Sequence, residues 1–322
     1  MHTTDFMQQE LQQLKEHSNL RRLPEMIHDG RNVIVDGKRM LNLSSNDYLG
    51  LAADRVLREE FLNTLTPDTF MPTSSSSRLL TGNFSIYEEL ETELARLLKE
   101  HHTSYIRIII VTESIFSMDG DQTDLNALVR LKQTYDNVLL YIDEAHAFGV
   151  RGKLGLGCAE ETGCIGDIDF LVGTFGKAAA SSGAYIVCRQ VIREYLINRM
   201  RTLIFTTALP PLNIAWTLFM IRKMASMQKR REHLAHISQI LRDALIAQGY
   251  ECPSVSHIVP MIVGSSKDTI LRAEYLQHHG FYALPVRPPT VPEGTSRIRF
   301  SLTAEIKEEE MEQLRNCLNE SF

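Results

Sequence analysis

Short apolar runs without clean alternation, separated by helical periods, dominate the middle of the chain. Residues 106–112 (IRIIIVT), 138–142 (VLLYI), 170–173 (FLVG) and 184–188 (AYIVC) are of this kind and rich in β-branched side chains. A strand with one wet face alternates apolar and polar positions. Runs that are apolar throughout are expected of parallel strands covered on both faces. Helical segments fall between some of them, notably 125–135, so the middle predicts an α/β fold with an open, mostly parallel sheet and helices on both faces. Before it, the pattern predicts an amphipathic helix over 5–18, with Phe6, Leu11 and Leu14 on one side. A hairpin about Asp36-Gly37 follows, then helices over 53–64 and 85–99 with a polar loop, Thr73 to Arg78, between them. After it come a helix over 213–227, another running to about Gly249, strands at 258–263 and 298–302, and helices at 268–279 and 304–318. The expected organisation is an N-terminal helix and arm (1–43), a large domain (44–219) and a smaller C-terminal α+β domain (220–322).

Composition narrows the function classes. A chain of 322 residues with 43% hydrophobic content can bury a full core. A formal net charge of −6 gives no bulk attraction to nucleic acid or anionic membrane. Five cysteines with no CxxC pair argue against a disulfide framework or a zinc site, and a reducing cytoplasm is the expected location. The N-terminus is polar, without an apolar signal region. Residues 203–221 carry no charge and are long enough to cross a bilayer, but Pro210-Pro211 interrupts them. Adjacent prolines break a helix, so a loop, the prolines and then a buried helix are expected there, with no membrane span.

The chemistry-bearing residues follow the apolar runs. Glu113 and Ser117 come after the first strand, Asp143 and His146 after the second, Thr174 and Lys177 after the third. In an open α/β sheet that is the edge where ligands bind. Asp-Glu-Ala-His at 143–146 also occurs in helicase-like ATPases, but these need an upstream GxxxxGK[ST] loop, and none exists here. Gly173-Thr174-Phe175-Gly176-Lys177 lies downstream, with other glycine spacing and Ala178 in place of a hydroxyl. Pyridoxal 5′-phosphate (PLP) chemistry uses the same set differently. It needs a lysine amine for a Schiff base and a carboxylate to keep the pyridine nitrogen protonated. Lys177 and Asp143 are the candidates, and Gly176 and the small residues 178–182 leave room for close approach. Singly, each residue has a plainer reading, since an aspartate after a strand often caps a helix and a lysine in such a loop is usually solvated.

Five segments together resemble the α-oxoamine synthases: SSNDYLGL (44–51), TESIFSMDGD (112–121), DEAH with the following GVxG (143–152), GTFGKA (173–178) and FTTALPP (205–211). The similarity covers nearly the whole chain, in order. It implies PLP fold type I and the condensation of an amino acid with an acyl thioester, with loss of CO₂. Arg287-Pro-Pro-Thr290-Val-Pro, followed by GTSRIR ending at Arg299, is similar to the members that take L-alanine and a pimeloyl thioester on the route to biotin. Relatives that use glycine or serine are the alternative. By this resemblance Lys177 carries PLP, Asp143 pairs with its ring nitrogen, His146 and Ser117 contact its ring oxygen, and Thr174 its phosphate. Thr206 and Thr207 reach the phosphate of a neighbouring subunit, which implies a homodimer. Arg299 holds the amino-acid carboxylate, while Arg21, Asn46, Arg287 and Thr290 line the acyl side, whose thioester is carried by coenzyme A or by acyl-carrier protein.

The chain departs from that family at one place. The helix ending near Glu100 is followed directly by HHTSY and the strand at Ile106. Family members carry there a segment of about two βα units, each at least ~30 residues. It brings a Gly-aromatic phosphate loop and a histidine that stacks on the PLP ring. Its loss would leave a PLP-fold protein with impaired catalysis, acting as a binding or dimer partner.

Overall fold

Asp36 and Gly37 adopt left-handed backbone conformations, with φ 50° and 76°, and join β2 (Asn32–Val35) to β3 (Lys38–Asn42). A two-residue turn with positive φ at both central positions matches the twist of the strands it connects, which makes Asp-Gly legible as a hairpin. β1 (Ile27–Asp29) adds an antiparallel strand on one side. The computed structural model describes residues 5–20, 23–74, 83–98, 108–135 and 137–319. They divide into two compact units, one of Met1–Asn46, Ser117–Asp121 and His233–Phe322, the other of Asp47–Phe116 and Gln122–Glu232.

The second unit holds a four-stranded sheet of β4 (Ile108–Glu113), β5 (Val138–Asp143), β6 (Phe170–Thr174) and β7 (Ala184–Val187), in that spatial order. β4, β5 and β6 are parallel, and their register aligns Glu113 with Asp143 and Asp143 with Val172. β7 is antiparallel to β6, contrary to the parallel arrangement its apolar run suggests. The reason is the link: residues 175–183 contain no helix, and a parallel crossover needs a dozen or more residues. β4 also departs from expectation. Ile108, Ile109 and Val111 are 47%, 54% and 66% exposed, whereas Leu140 and Ile142 of β5 are fully buried. β4 is the outermost strand of its sheet, so its apolar sequence is not matched by cover on both faces.

Helices form where the apolar periods place them, and side-chain caps start two of them. Asp54 accepts a hydrogen bond from Leu57 N at 3.1 Å and starts Arg55–Leu62, and Asp124 accepts from Ala127 N at 2.9 Å and starts Leu125–Thr134. The uncharged stretch resolves into a short helix Arg201–Ile204, a loop, and the buried helix Pro211–Met224 with proline at its first position. No described helix is long and apolar enough to cross a membrane. The helix Gln190–Arg199 is unanticipated; it has no buried residue, so no apolar stripe marks it in the sequence.

In the first unit, β8 (Ile258–Gly264), β10 (Pro285–Val286) and β11 (Ser296–Ser301) form an antiparallel sheet in the order β10-β11-β8. The N-terminal strands belong to the same unit. β3 pairs in parallel with β9 (Phe281–Tyr282), and Ser301 N donates to Leu43 O at 2.8 Å. The N-terminal helix is Asp5–Glu16; Leu11 and Leu14 are exposed on it, and the side chain of Phe6 lies outside those described. A boundary at 219/220 would cut the helix Pro211–Met224; the division falls instead at 232/233.

Candidate active site

The carboxyl end of β5 sets the geometry. Asp143 Oδ1 accepts from Ala145 N at 2.8 Å, and Glu144 N donates to Val172 O of β6 at 2.7 Å. Ala147 N and Phe148 N both donate to Glu144 O, so the chain turns sharply and His146 points back over the sheet edge into a buried position. Its Nδ1 lies 2.7 Å from the Tyr48 hydroxyl, and its Nε2 lies 3.0 Å from Lys177 Nζ. Tyr48 is fully buried. With Lys177 as an ammonium, Nε2 is the acceptor, so Nδ1 carries the ring proton and donates to Tyr48 Oη. With Lys177 neutral, Nε2–H can donate to the amine instead.

Below the sheet edge Glu144 locks the turn. Its fully buried carboxylate accepts from Cys158 N at 3.0 Å, from Ala159 N at 2.7 Å and from the Ser114 hydroxyl. Burial pushes this carboxyl above its ordinary range, opposed by those hydrogen bonds.

The Lys177 loop is held from several sides. Thr174 Oγ1 donates to Gly183 O at 3.0 Å and accepts from Gly176 N at 3.1 Å. Trp216 Nε1 donates to Ala180 O at 2.8 Å, and Asn213 Nδ2 donates to Ser181 Oγ at 2.7 Å, so the helix Pro211–Met224 buttresses the loop. A Cβ on Gly173 would lie 2.6 Å from Tyr185 Oη, whereas one on Gly176 would meet nothing closer than 3.5 Å. Close packing therefore requires glycine at 173 and not at 176.

Of the residues singled out in the sequence, the structure brings Lys177 and His146 into direct contact and sets Asp143 on the same strand end. Tyr48 was singled out only as part of SSNDYLGL, and that motif is the one signal that marks it. Asp143 Oδ2 accepts no hydrogen bond among the described residues, which leaves one carboxylate oxygen for a donor such as a protonated ring nitrogen. Amine, buried imidazole and half-buried carboxylate thus fit the ring end of a PLP. The phosphate end is less well provided, because the Thr174 hydroxyl donates its proton to Gly183 O. Thr206 and Thr207 are exposed in the loop after Arg201–Ile204.

The remaining candidates lie in the first unit. Arg299 Nε donates to the carbonyl of Ser117 and Nη1 to the hydroxyl of Ser301, which leaves Nη2 as the nitrogen without a partner among the described residues. The neighbouring Arg297 is buried and paired with Asp119. Arg287 donates to Ser18 O, Thr290 N donates to Arg287 O at 3.0 Å, and Asn46 and Thr290 are exposed. Arg21 lies outside the described residues.

Comparison with known proteins agrees with this chemistry. The profile of the family described as aminotransferase class I and II matches residues 96–318. A protein of Pasteurella multocida (strain Pm70) named "Putative 8-amino-7-oxononanoate synthase" is 45% identical, covering 98% of this chain and 98% of its own length. One of the same name from Glaesserella parasuis serovar 5 is 46% identical, covering 96% and 99%. Among solved structures, serine palmitoyltransferase of Sphingomonas wittichii superposes with a TM-score of 0.85 at 23% identity, covering 98% of this chain and 96% of the other. 8-Amino-7-oxononanoate synthase of Francisella tularensis gives a TM-score of 0.71 at 20% identity, covering 87% and 96%. The Pasteurella alignment runs over 381 positions, while 98% of 322 residues is about 316, so roughly 65 positions of that relative face no residue here, the length of about two βα units.

Proposed function

The chain belongs to the aminotransferase class I and II family, and from that premise we propose that it is a PLP-dependent acyltransferase condensing L-alanine with a pimeloyl thioester to 8-amino-7-oxononanoate. The observation that carries the reading is the contact of Lys177 Nζ with His146 Nε2 beside Asp143, beyond the carboxyl ends of the parallel strands β5 and β6. Lys177 is the residue to which PLP attaches, and Asp143, through Oδ2, is the partner of its ring nitrogen. When bound, PLP supplies an electron sink for the carbanion at the amino-acid Cα. Once the amino group of the substrate has taken its place on the cofactor, Lys177 Nζ would be free to take the Cα proton as general base, and His146 would hold that amine in place with its ring oriented by Tyr48. Arg299 Nη2 is the group that meets the alanine carboxylate; a two-point pair requires it to release Ser117 O or Ser301 Oγ. Ser117 serves the cofactor ring, and Asn46, Arg287 and Thr290, with Arg21, serve the acyl side. Two copies sharing their sites through Thr206 and Thr207 complete the reading, with coenzyme A or acyl-carrier protein as thioester carrier and the cytoplasm as location.

The length of the alignment favours a second reading, in which the chain keeps the lysine chemistry but has lost the condensation. We place the roughly 65 unmatched positions between Glu100 and Ile106, because the strand that follows, β4, leaves apolar residues exposed at a sheet edge. One experiment separates the two. The chain is incubated with PLP, pimeloyl-coenzyme A and L-alanine, glycine or serine in turn, and release of CO₂ and the amino ketone are measured by mass spectrometry. Product with L-alanine alone supports the first reading, and product with glycine or serine replaces its substrate. No product, with PLP still bound at Lys177, supports the second.

A further inference from the structure

We propose that the open edge of β4 is an association surface, and that its occupant is β4 of a second copy of this chain. The ladder defines which groups are available. Ile108 N donates to Asn137 O at 2.9 Å and Ser114 N to Asp143 O at 2.9 Å, both on the β5 side. Backbone groups in a strand alternate sides, so Ile110 and Thr112 also face β5, while Ile109 and Val111 turn their N–H and C=O outward. No described strand pairs with that side. The carbonyl of Glu113, further along, is already taken by the Thr123 hydroxyl at 2.7 Å, which limits the open stretch among the described residues to Ile108–Val111.

Self-pairing fits this edge in sequence and in charge. An antiparallel two-fold pairing centred on Ile110 sets Ile109 of one copy opposite Val111 of the other, each pair exchanging both of its backbone hydrogen bonds. The opposed side chains are β-branched and apolar, and residues 108–111 carry no charge, so no like charges meet. Natural edge strands are guarded by lysine, proline, bulges or cover; β4 has no lysine or proline, its register with β5 is unbroken, and Ile109 and Val111 are 54% and 66% exposed. In the Pasteurella relative roughly 65 positions have no counterpart here, about two βα units that this chain cannot supply from its own residues. A second copy offers an edge of matching length and polarity. The inference stands independently of any cofactor or substrate.

The test is hydrogen–deuterium exchange of the full chain, read at the amides of Ile109 and Val111 over a hundred-fold range of protein concentration. Edge pairing predicts exchange at both amides at least ten-fold slower at the high end than at the low end. Val111→Lys, solvated at a two-thirds exposed position, removes that difference while circular dichroism stays unchanged. If Val111→Lys disturbs the fold, Ile109→Lys, on the same face, reads the same property. Exchange independent of concentration overturns the proposal, whether the amides are open throughout or protected throughout by the chain's own residues. So does a concentration dependence that both lysine variants retain. Association through another surface, such as sites shared through Thr206 and Thr207, leaves these two amides unchanged and so cannot mimic the predicted slowing.

Discussion

At the scale of single residues, the site turns on a buried imidazole with two neighbours. His146 lies between Tyr48 and Lys177, at 2.7 Å and 3.0 Å. Tyr48→Phe removes a hydroxyl from beside a buried ring nitrogen and should destabilise the protein by about 1–3 kcal/mol, measured by urea unfolding. It should also loosen the orientation of Lys177, so PLP uptake slows while the fold is kept; unchanged stability and uptake would mean that Tyr48 only fills space. Asp143→Asn keeps the bond from Ala145 N but replaces a carboxylate by an amide, which cannot hold a pyridine nitrogen protonated. Exchange of the alanine Cα proton in deuterated water should collapse while PLP affinity falls far less. The contact of His146 with Lys177 was legible because each follows one of two adjacent strands. Tyr48 was not, since it precedes His146 by 98 residues and no local pattern couples them.

At the scale of elements, two glycine and carboxylate positions carry the local architecture. Gly173→Ala forces a Cβ against Tyr185 Oη, and overpacking of this kind costs about 1–3 kcal/mol. A thermal melt should show it, and Gly176→Ala, whose Cβ would meet nothing closer than 3.5 Å, should show much less strain. Glu144 bears on pH. Burial raises its carboxyl in the folded state, so between the unfolded and folded values the native protein holds more protons than the unfolded chain. The contribution of Glu144 is therefore complete below the unfolded value and is lost as pH rises through the folded one. Glu144→Gln should remove that part of the slope in a series of urea unfolding curves from acid to neutral pH; an unchanged slope would assign it to other groups. The local signal Asp36-Gly37 located its turn because it acts within a few residues, and the caps Asp54 and Asp124 act over the same short range. The direction of β7 depended on the length of a link, and the exposure of β4 on what the rest of the chain supplies, which an apolar run cannot encode.

At the scale of the whole molecule, the fold and family were legible because long motifs occur in order, from SSNDYLGL to GTSRIR. The grouping of the N-terminal strands with C-terminal residues was not, because the pairing of Leu41 with Phe281 joins distant positions without a sequence cue. The central claim is that this assembly still presents Lys177 to PLP despite the roughly 65 positions it lacks relative to the Pasteurella protein. The most direct test is borohydride reduction of the chain after incubation with PLP, followed by peptide mapping by mass spectrometry. The account predicts one phosphopyridoxyl group on the peptide containing Lys177, and none in Lys177→Ala prepared with an intact fold. A modified lysine elsewhere, an adduct that persists in Lys177→Ala, or no adduct in the parent chain would contradict it.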